Sequence, residues 1–147
     1  MPAFGVRSST ILKTCHTALR SLFVEVVKTY DCKVIQGGRS IDEEMQAIRT
    51  GHSKLLSPTE SKHVIAPGIR TLSDAVDVAP YPVVWPNDGM SPAEHMHAVG
   101  RFYHFAGYVL RVAEYLGTPV RWGGDWNGDL IFSDQTFDDL DHFEVIV

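Results

Sequence analysis

The chain is poor in cysteine, in basic charge and in long apolar runs, and each shortage closes off a class of protein. Cys15 and Cys32 are its only two thiols in 147 residues. Two thiols cannot staple a small secreted scaffold or build a cysteine-type zinc site, so free buried thiols in a reducing compartment are expected. The 13 Lys+Arg stand against 18 Asp+Glu, a formal net charge of −5. General nucleic-acid binding needs a basic face to displace phosphate counterions, and this balance excludes it. No segment approaches the roughly 18–20 apolar residues of a membrane span. Arg7, Lys13 and Arg20 interrupt the apolar core that a signal peptide needs. A cytoplasmic product without stable membrane association is therefore expected. Internal repeats and low-complexity tracts are also missing. What remains is ordinary globular composition: 44% hydrophobic, 10% aromatic and only 21% charged residues. That rules out intrinsic disorder, and the length fits one domain over residues 1–147.

Periodicity orders the elements. Ile11, Leu12, Cys15, Ala18, Leu19, Leu22, Phe23, Val26 and Val27 recur at helical spacing, which predicts one helix from Ser9 to Tyr30. A short strand, Cys32–Gln36, ends at Gly37-Gly38. Ser40 and Glu43 form a capping box for a helix that runs to Thr50, with Gly51 as its stop. His52 to Ser73 lacks a period and reads as loop. Ala75–Ala79 alternates like a half-buried strand, with Asp77 on the face opposite Val76 and Val78. Ser91-Pro92-Ala93-Glu94 opens a second, longer helix stopped by Gly117. Pro119–Trp122 and His142–Val147 read as strands. Helices and strands are segregated, so the expected class is α+β, a small antiparallel sheet packed on helices.

Candidate chemistry centres on histidine. Of the seven, His16, His95, His97 and His104 fall on or near predicted helices and read as ordinary core or surface residues, and His52 reads as exposed. His63 sits in a loop leading to the strand of Asp77, and His142 begins the last strand. Two imidazoles and a carboxylate make a three-ligand zinc set with a fourth position open to water, as in catalytic sites. Many other triples are possible in this chain, so spacing alone leaves the set open. Asp125-Trp126-Asn127-Gly128-Asp129 has calcium-loop flavour, but its glycine is one position early and Thr136 replaces the bidentate glutamate. It reads as a polar turn. Tyr81, Trp85, Trp122 and Trp126 read either as a groove for glycan or peptide or as core and rim packing.

Ser61-Lys62-His63, Ser73-Asp74-Ala75-Val76-Asp77 and Asp139-Leu140-Asp141-His142 resemble the SxH…AxD and (D/E)xxH signatures of the M15 zinc peptidases. That family includes D-Ala-D-Ala carboxypeptidases and phage L-alanyl-D-glutamate endopeptidases, and the likeness leans to the phage endolysin branch. Gly38-Arg39-Ser40, Val78-Ala79-Pro80-Tyr81-Pro82 and Trp122-Gly123-Gly124-Asp125-Trp126 extend it over residues 8 to 147. The resemblance implies a Hedgehog/D,D-peptidase-like fold and zinc on His63, Asp77 and His142. It implies a general base at Asp139, with Glu144 and Asp141 as the other carboxylates near His142. Arg39 is implied to bind substrate carboxylate or support the oxyanion, and Ser61 to orient the His63 loop at the substrate site. One departure stands out. The family spacing SxHxxGxAxD is short, whereas thirteen residues lie between His63 and Asp77 here, with an insertion over Val64–Leu72 and no glycine before the aspartate. Loops tolerate such length cheaply.

The implied activity is hydrolysis of peptidoglycan stem peptides by a phage lysis enzyme, with L-Ala-D-Glu endopeptidase specificity. D-Ala-D-Ala carboxypeptidase activity and a zinc-stabilised, non-catalytic binding module are the alternatives. The enzyme is expected to be a monomer without a separate wall-binding domain. It is expected to reach the wall once a partner permeabilises the membrane.

Overall fold

A computed structural model describes residues 1–146. Four helices and four strands follow in the order α1 (Val6–Leu12), α2 (Thr17–Val27), β1 (Cys32–Gln36), α3 (Ile41–Arg49), β2 (Ala75–Pro80), α4 (Pro92–Leu116), β3 (Val120–Gly123) and β4 (Asp139–Val145), with one 3-10 turn at Pro58–Glu60. The strands form a single sheet, order β1-β2-β4-β3, antiparallel at every step. This is the expected α+β architecture.

Leu19, Leu22, Phe23 and Val26 of α2 meet Phe105, Ala106 and Val109 of α4 over the sheet residues Val34, Val76, Val78 and Phe143. Phe143 is fully buried, edge-on to Phe23 at 5.4 Å and to Phe105 at 6.1 Å. The core thus lies on one face of the sheet, and the polar cluster described below lies on the other. No helix among the described residues is long and apolar enough to cross a membrane.

Local signals were obeyed where the partners are local. Ser40 Oγ accepts from the Glu43 N–H and the Glu43 carboxylate accepts from the Ser40 N–H. Gly117 ends α4 in the left-handed region at φ 68°, where glycine pays no steric penalty. At Ser91 only half of the expected box is made, Ser91 Oγ accepting from the Glu94 N–H.

Three expectations need correction. The helix predicted from Ser9 to Tyr30 is two helices. At the break, Thr14 O accepts from the Ser73 N–H and the His16 N–H donates to Ser73 O, so a bridge to a distant segment replaces helical bonds. His16 then caps α2 through Nδ1, which accepts from the Ala18 N–H at 3.1 Å. Strand β2 is buried along its whole length rather than on one face, because the helices cover one side and the histidine cluster the other. Strand β4 begins at Asp139, three residues before the predicted start. Val147, assigned to that strand from the sequence, lies outside the described residues.

Candidate active site

Register builds the centre of the site. Asp77 of β2 lies directly opposite His142 of β4, so both side chains leave the same face of the sheet. His63 arrives from the loop between α3 and β2. Ser61 Oγ accepts the His63 N–H at 3.2 Å and holds that loop in shape. Arg39 and Val64 form a parallel bridge, with the Arg39 N–H donating to His63 O and Arg39 O accepting from the Ile65 N–H, both at 2.8 Å. The inserted segment is tied down by Arg70, whose Nη1 donates to Ser61 O and Val64 O and whose Nε lies 3.3 Å from Asp74.

His63 Nε2, His142 Nδ1 and Asp77 Oδ1 make a triangle with sides of 3.2, 3.2 and 3.3 Å. Zinc holding ligands at ~2.0–2.1 Å in a tetrahedron requires edges of about 3.3–3.4 Å. The outer nitrogens settle the tautomers. His63 Nδ1 lies 2.8 Å from the Gly37 carbonyl, which can only accept, so Nδ1 carries the proton. His142 Nε2 lies 2.9 Å from the Glu144 carboxylate and carries the proton for the same reason. In its neutral form each ring turns its remaining lone pair toward the Asp77 carboxylate, and three such acceptors converging on one point fit a cation. All three residues are buried, and they are the one such metal-ligating group among the described residues.

The electrostatics agree. Burial works against the Asp77 carboxylate, but the His63 charge and hydrogen bonds to both imidazoles outweigh it and hold its pKa well below the usual range. Burial likewise disfavours a charged His142, yet its hydrogen bonds to Asp77 and Glu144 push it up to about 10. The site is built to hold positive charge.

The other proposed residues surround this triangle. Asp139 Oδ2 lies 3.7 Å from His142 Nδ1 with its side chain 43% exposed, at the open side of a cleft of about 460 Å³. Burial first, and then the Asp77 charge, raise its pKa. Asp141 is pushed up to about 8 by burial and by the charges of Asp77 and Asp139, and it does not line the cleft. Glu144 is committed elsewhere, to His142 on one oxygen and in an ion pair with Arg121 at 3.0 Å on the other. Arg39 Nη1 donates to Glu44 at 2.9 Å and its Nη2 stands 3.8 Å from Asp77 Oδ2. Trp126 leans on His142 at 5.2 Å and lines the cleft with Phe137, while Trp85 stacks on Phe102 away from it. The Asp125 carboxylate accepts from the Gly128 and Leu130 N–H groups, as a polar turn requires.

Sequence reasoning missed Glu44, Arg121 and the backbone role of Gly37. Glu44 read as part of an acidic helix start, and Arg121 meets Glu144 only through strand register.

A family model described as phage L-alanyl-D-glutamate peptidase matches residues 2–146. The L-alanyl-D-glutamate peptidase of Escherichia phage T5 is 31% identical over 137 residues, spanning 90% of this chain and 87% of the relative. The crystal structure of the Serratia marcescens L-Ala D-Glu endopeptidase ChiX is similar with a TM-score of 0.68 and 25% identity, covering 98% of this chain and 90% of that one. With signatures, fold and site in agreement along nearly the whole length, the chain belongs to the phage L-alanyl-D-glutamate peptidase family.

Proposed function

We propose that this chain is a zinc-dependent peptidase that hydrolyses the L-Ala–D-Glu bond of bacterial peptidoglycan stem peptides during phage-driven lysis. The observation that carries the reading is the triangle of lone pairs on His63, Asp77 and His142, with its open side toward a cleft that Asp139 and Arg39 line. When bound by these three residues, zinc supplies Lewis acidity, polarising a carbonyl and bringing the pKa of water toward ~7.

The protein groups do the rest. Asp139 accepts the proton of the attacking water and returns it to the leaving amine, and burial and the Asp77 charge, which raise its pKa, make it a stronger base than an ordinary carboxylate. Arg39 places a guanidinium where negative charge grows on the substrate oxygen or where a substrate carboxylate docks. Glu144 holds the His142 ring and strengthens it as a ligand.

Mass spectrometry of purified sacculi digested with the protein tests the bond. Products ending in L-Ala and beginning with D-Glu are expected. Release of terminal D-Ala alone would replace this reading with a carboxypeptidase. No product from a zinc-loaded, folded protein would leave a binding module.

A further inference from the structure

Among the described residues Glu44 is the most deeply buried acidic residue, and it lies on the wall of the cleft. It sits in the first turn of α3, whose start is held by the Ser40–Glu43 capping box. Its Oε2 accepts from Arg39, while Oε1 has no partner and no access to solvent. A buried carboxylate with an orphaned oxygen is expensive, and apolar groups in place of the whole Glu44–Arg39 pair would cost the fold less. Stability of the fold therefore does not explain it.

Arg39 does. Its backbone is clamped to the His63 loop on both sides, so only the side chain is free to swing. The guanidinium lies between two carboxylates, bonded to Glu44 at 2.9 Å and held 3.8 Å from Asp77 Oδ2. Asp77 carries one of the three converging lone pairs. Without the pull from Glu44, the guanidinium would shorten its 3.8 Å ion pair with Asp77 and leave the place in the cleft that its bond to Glu44 sets.

Resting on the functional reading above, we infer that Glu44 is a positioning residue, which fixes the Arg39 guanidinium in the cleft and keeps its ion pair with Asp77 long. Position, rather than charge, is its contribution. An amide at 44 still accepts from Nη1, whereas a hydrocarbon does not.

The test uses the zinc-loaded, full-length protein and four variants: Glu44→Gln, Glu44→Leu, Arg39→Met and the Arg39→Met/Glu44→Leu pair. Cleavage of sacculi by Glu44→Gln should stay within about threefold of wild type. Glu44→Leu should lose about 10- to 100-fold in kcat/KM, the range expected for a hydrogen bond to a charged group, with zinc content unchanged. The double variant should be no worse than Arg39→Met. Multiplying losses in the double variant, or a folded Glu44→Leu of full activity, would overturn the inference. If Glu44→Leu does not fold, Glu44→Asp decides, because it keeps the charge but draws the carboxylate back. It should lose activity where Glu44→Gln does not, and full activity would sink the inference. A second readout is independent of turnover. In 15N spectra the Arg39 Nη1–H groups should be slow to exchange in wild type and Glu44→Gln, and fast in Glu44→Leu or Glu44→Asp. Unchanged exchange in those variants also overturns it, whereas a wild type that leaves sacculi intact bears on the functional reading alone.

Discussion

Asp139 and Glu144 both stand beside His142, and their surroundings give them different work. Glu144 has one oxygen on the ring nitrogen and the other on Arg121, and His142 holds its pKa down against the opposing effect of burial. A carboxylate so engaged positions a ligand. Asp139 is partly exposed and its pKa is raised. Asp139→Asn should therefore keep fold and zinc yet lose ~10²- to 10⁴-fold in activity, the usual share of general acid–base catalysis. Glu144→Gln should instead weaken zinc binding by about 10- to 100-fold. Zinc titration and a sacculus assay on both variants check this, and reversed phenotypes would reverse the assignment. The thiols give a second prediction at this scale. Burial pushes Cys15 up to about 11 and Cys32 up to about 12, so neither forms thiolate at neutral pH. Ellman's reagent should find no thiol in the native protein and both after denaturation.

At the scale of elements, the last two strands deliver the catalytic side. Strand β3 pairs with β4 in register up to Trp122, then shifts so that Gly123 faces Asp139. An irregularity of this kind re-aims a side chain. A methyl group at Gly123 would overlap the Asp139 carbonyl and press on its Cβ. Because the clash is with backbone, Gly123→Ala should force the β3–β4 junction to shift, displacing Asp139 and lowering the thermal midpoint together. Activity of the folded variant is expected to fall at least tenfold. Normal activity would show that β3 does not set Asp139. That approach explains Gly123 of Trp122-Gly123-Gly124, which in the sequence stood only as a matching motif, while a side chain at Gly124 would collide with the Trp122 ring. Gly37 is a parallel case, because a side chain there would collide with Thr14 and Ile11 while its carbonyl must accept His63 Nδ1.

For the whole molecule, the proposed metal site and the core meet in β4. Phe143 is locked into the core, while its neighbours His142 and Glu144 serve the site. Truncation after His142 removes Phe143 and Val145 from the core. Losing a buried phenylalanine alone costs about 3–5 kcal/mol against a total stability of ~5–15 kcal/mol. The truncated chain should melt well below wild type and fail to retain zinc, whereas removal of the exposed Met1–Ala3, which precedes Phe4 and α1, should do neither. Zinc is linked to folding in the same way. At a hundredfold excess over its Kd it should stabilise by about 2.7 kcal/mol, which for a chain of this size is a rise of roughly 5–10 °C in Tm. Chelation should reverse that rise, and His142→Ala should not show it. Equal melting of His142→Ala with and without zinc, beside a responsive wild type, is the expected pattern.

Class and element order were legible in the chain because they rest on local chemistry: the capping residues of α3, the glycine after α4, the helical stripe of α2. His63, Asp77, His142, Asp139 and Arg39 were legible only through motif order, since no local pattern shows that residues so far apart meet. The insertion between His63 and Asp77 did not separate them, because the loop closes through Arg70 and the Arg39–Val64 bridge. The split of the first helix, the full burial of β2 and the earlier start of β4 lay outside local reading. Each depends on partners distant along the chain, through hydrogen bonds or through burial against them, which outweigh local propensity once they form. Sequence by itself determined which side chains were available and which segments would be regular. Tertiary structure decided which carboxylate is open to the cleft, which is committed to His142, and which, Glu44, is buried to hold Arg39, because burial and pairing set what a carboxylate can do.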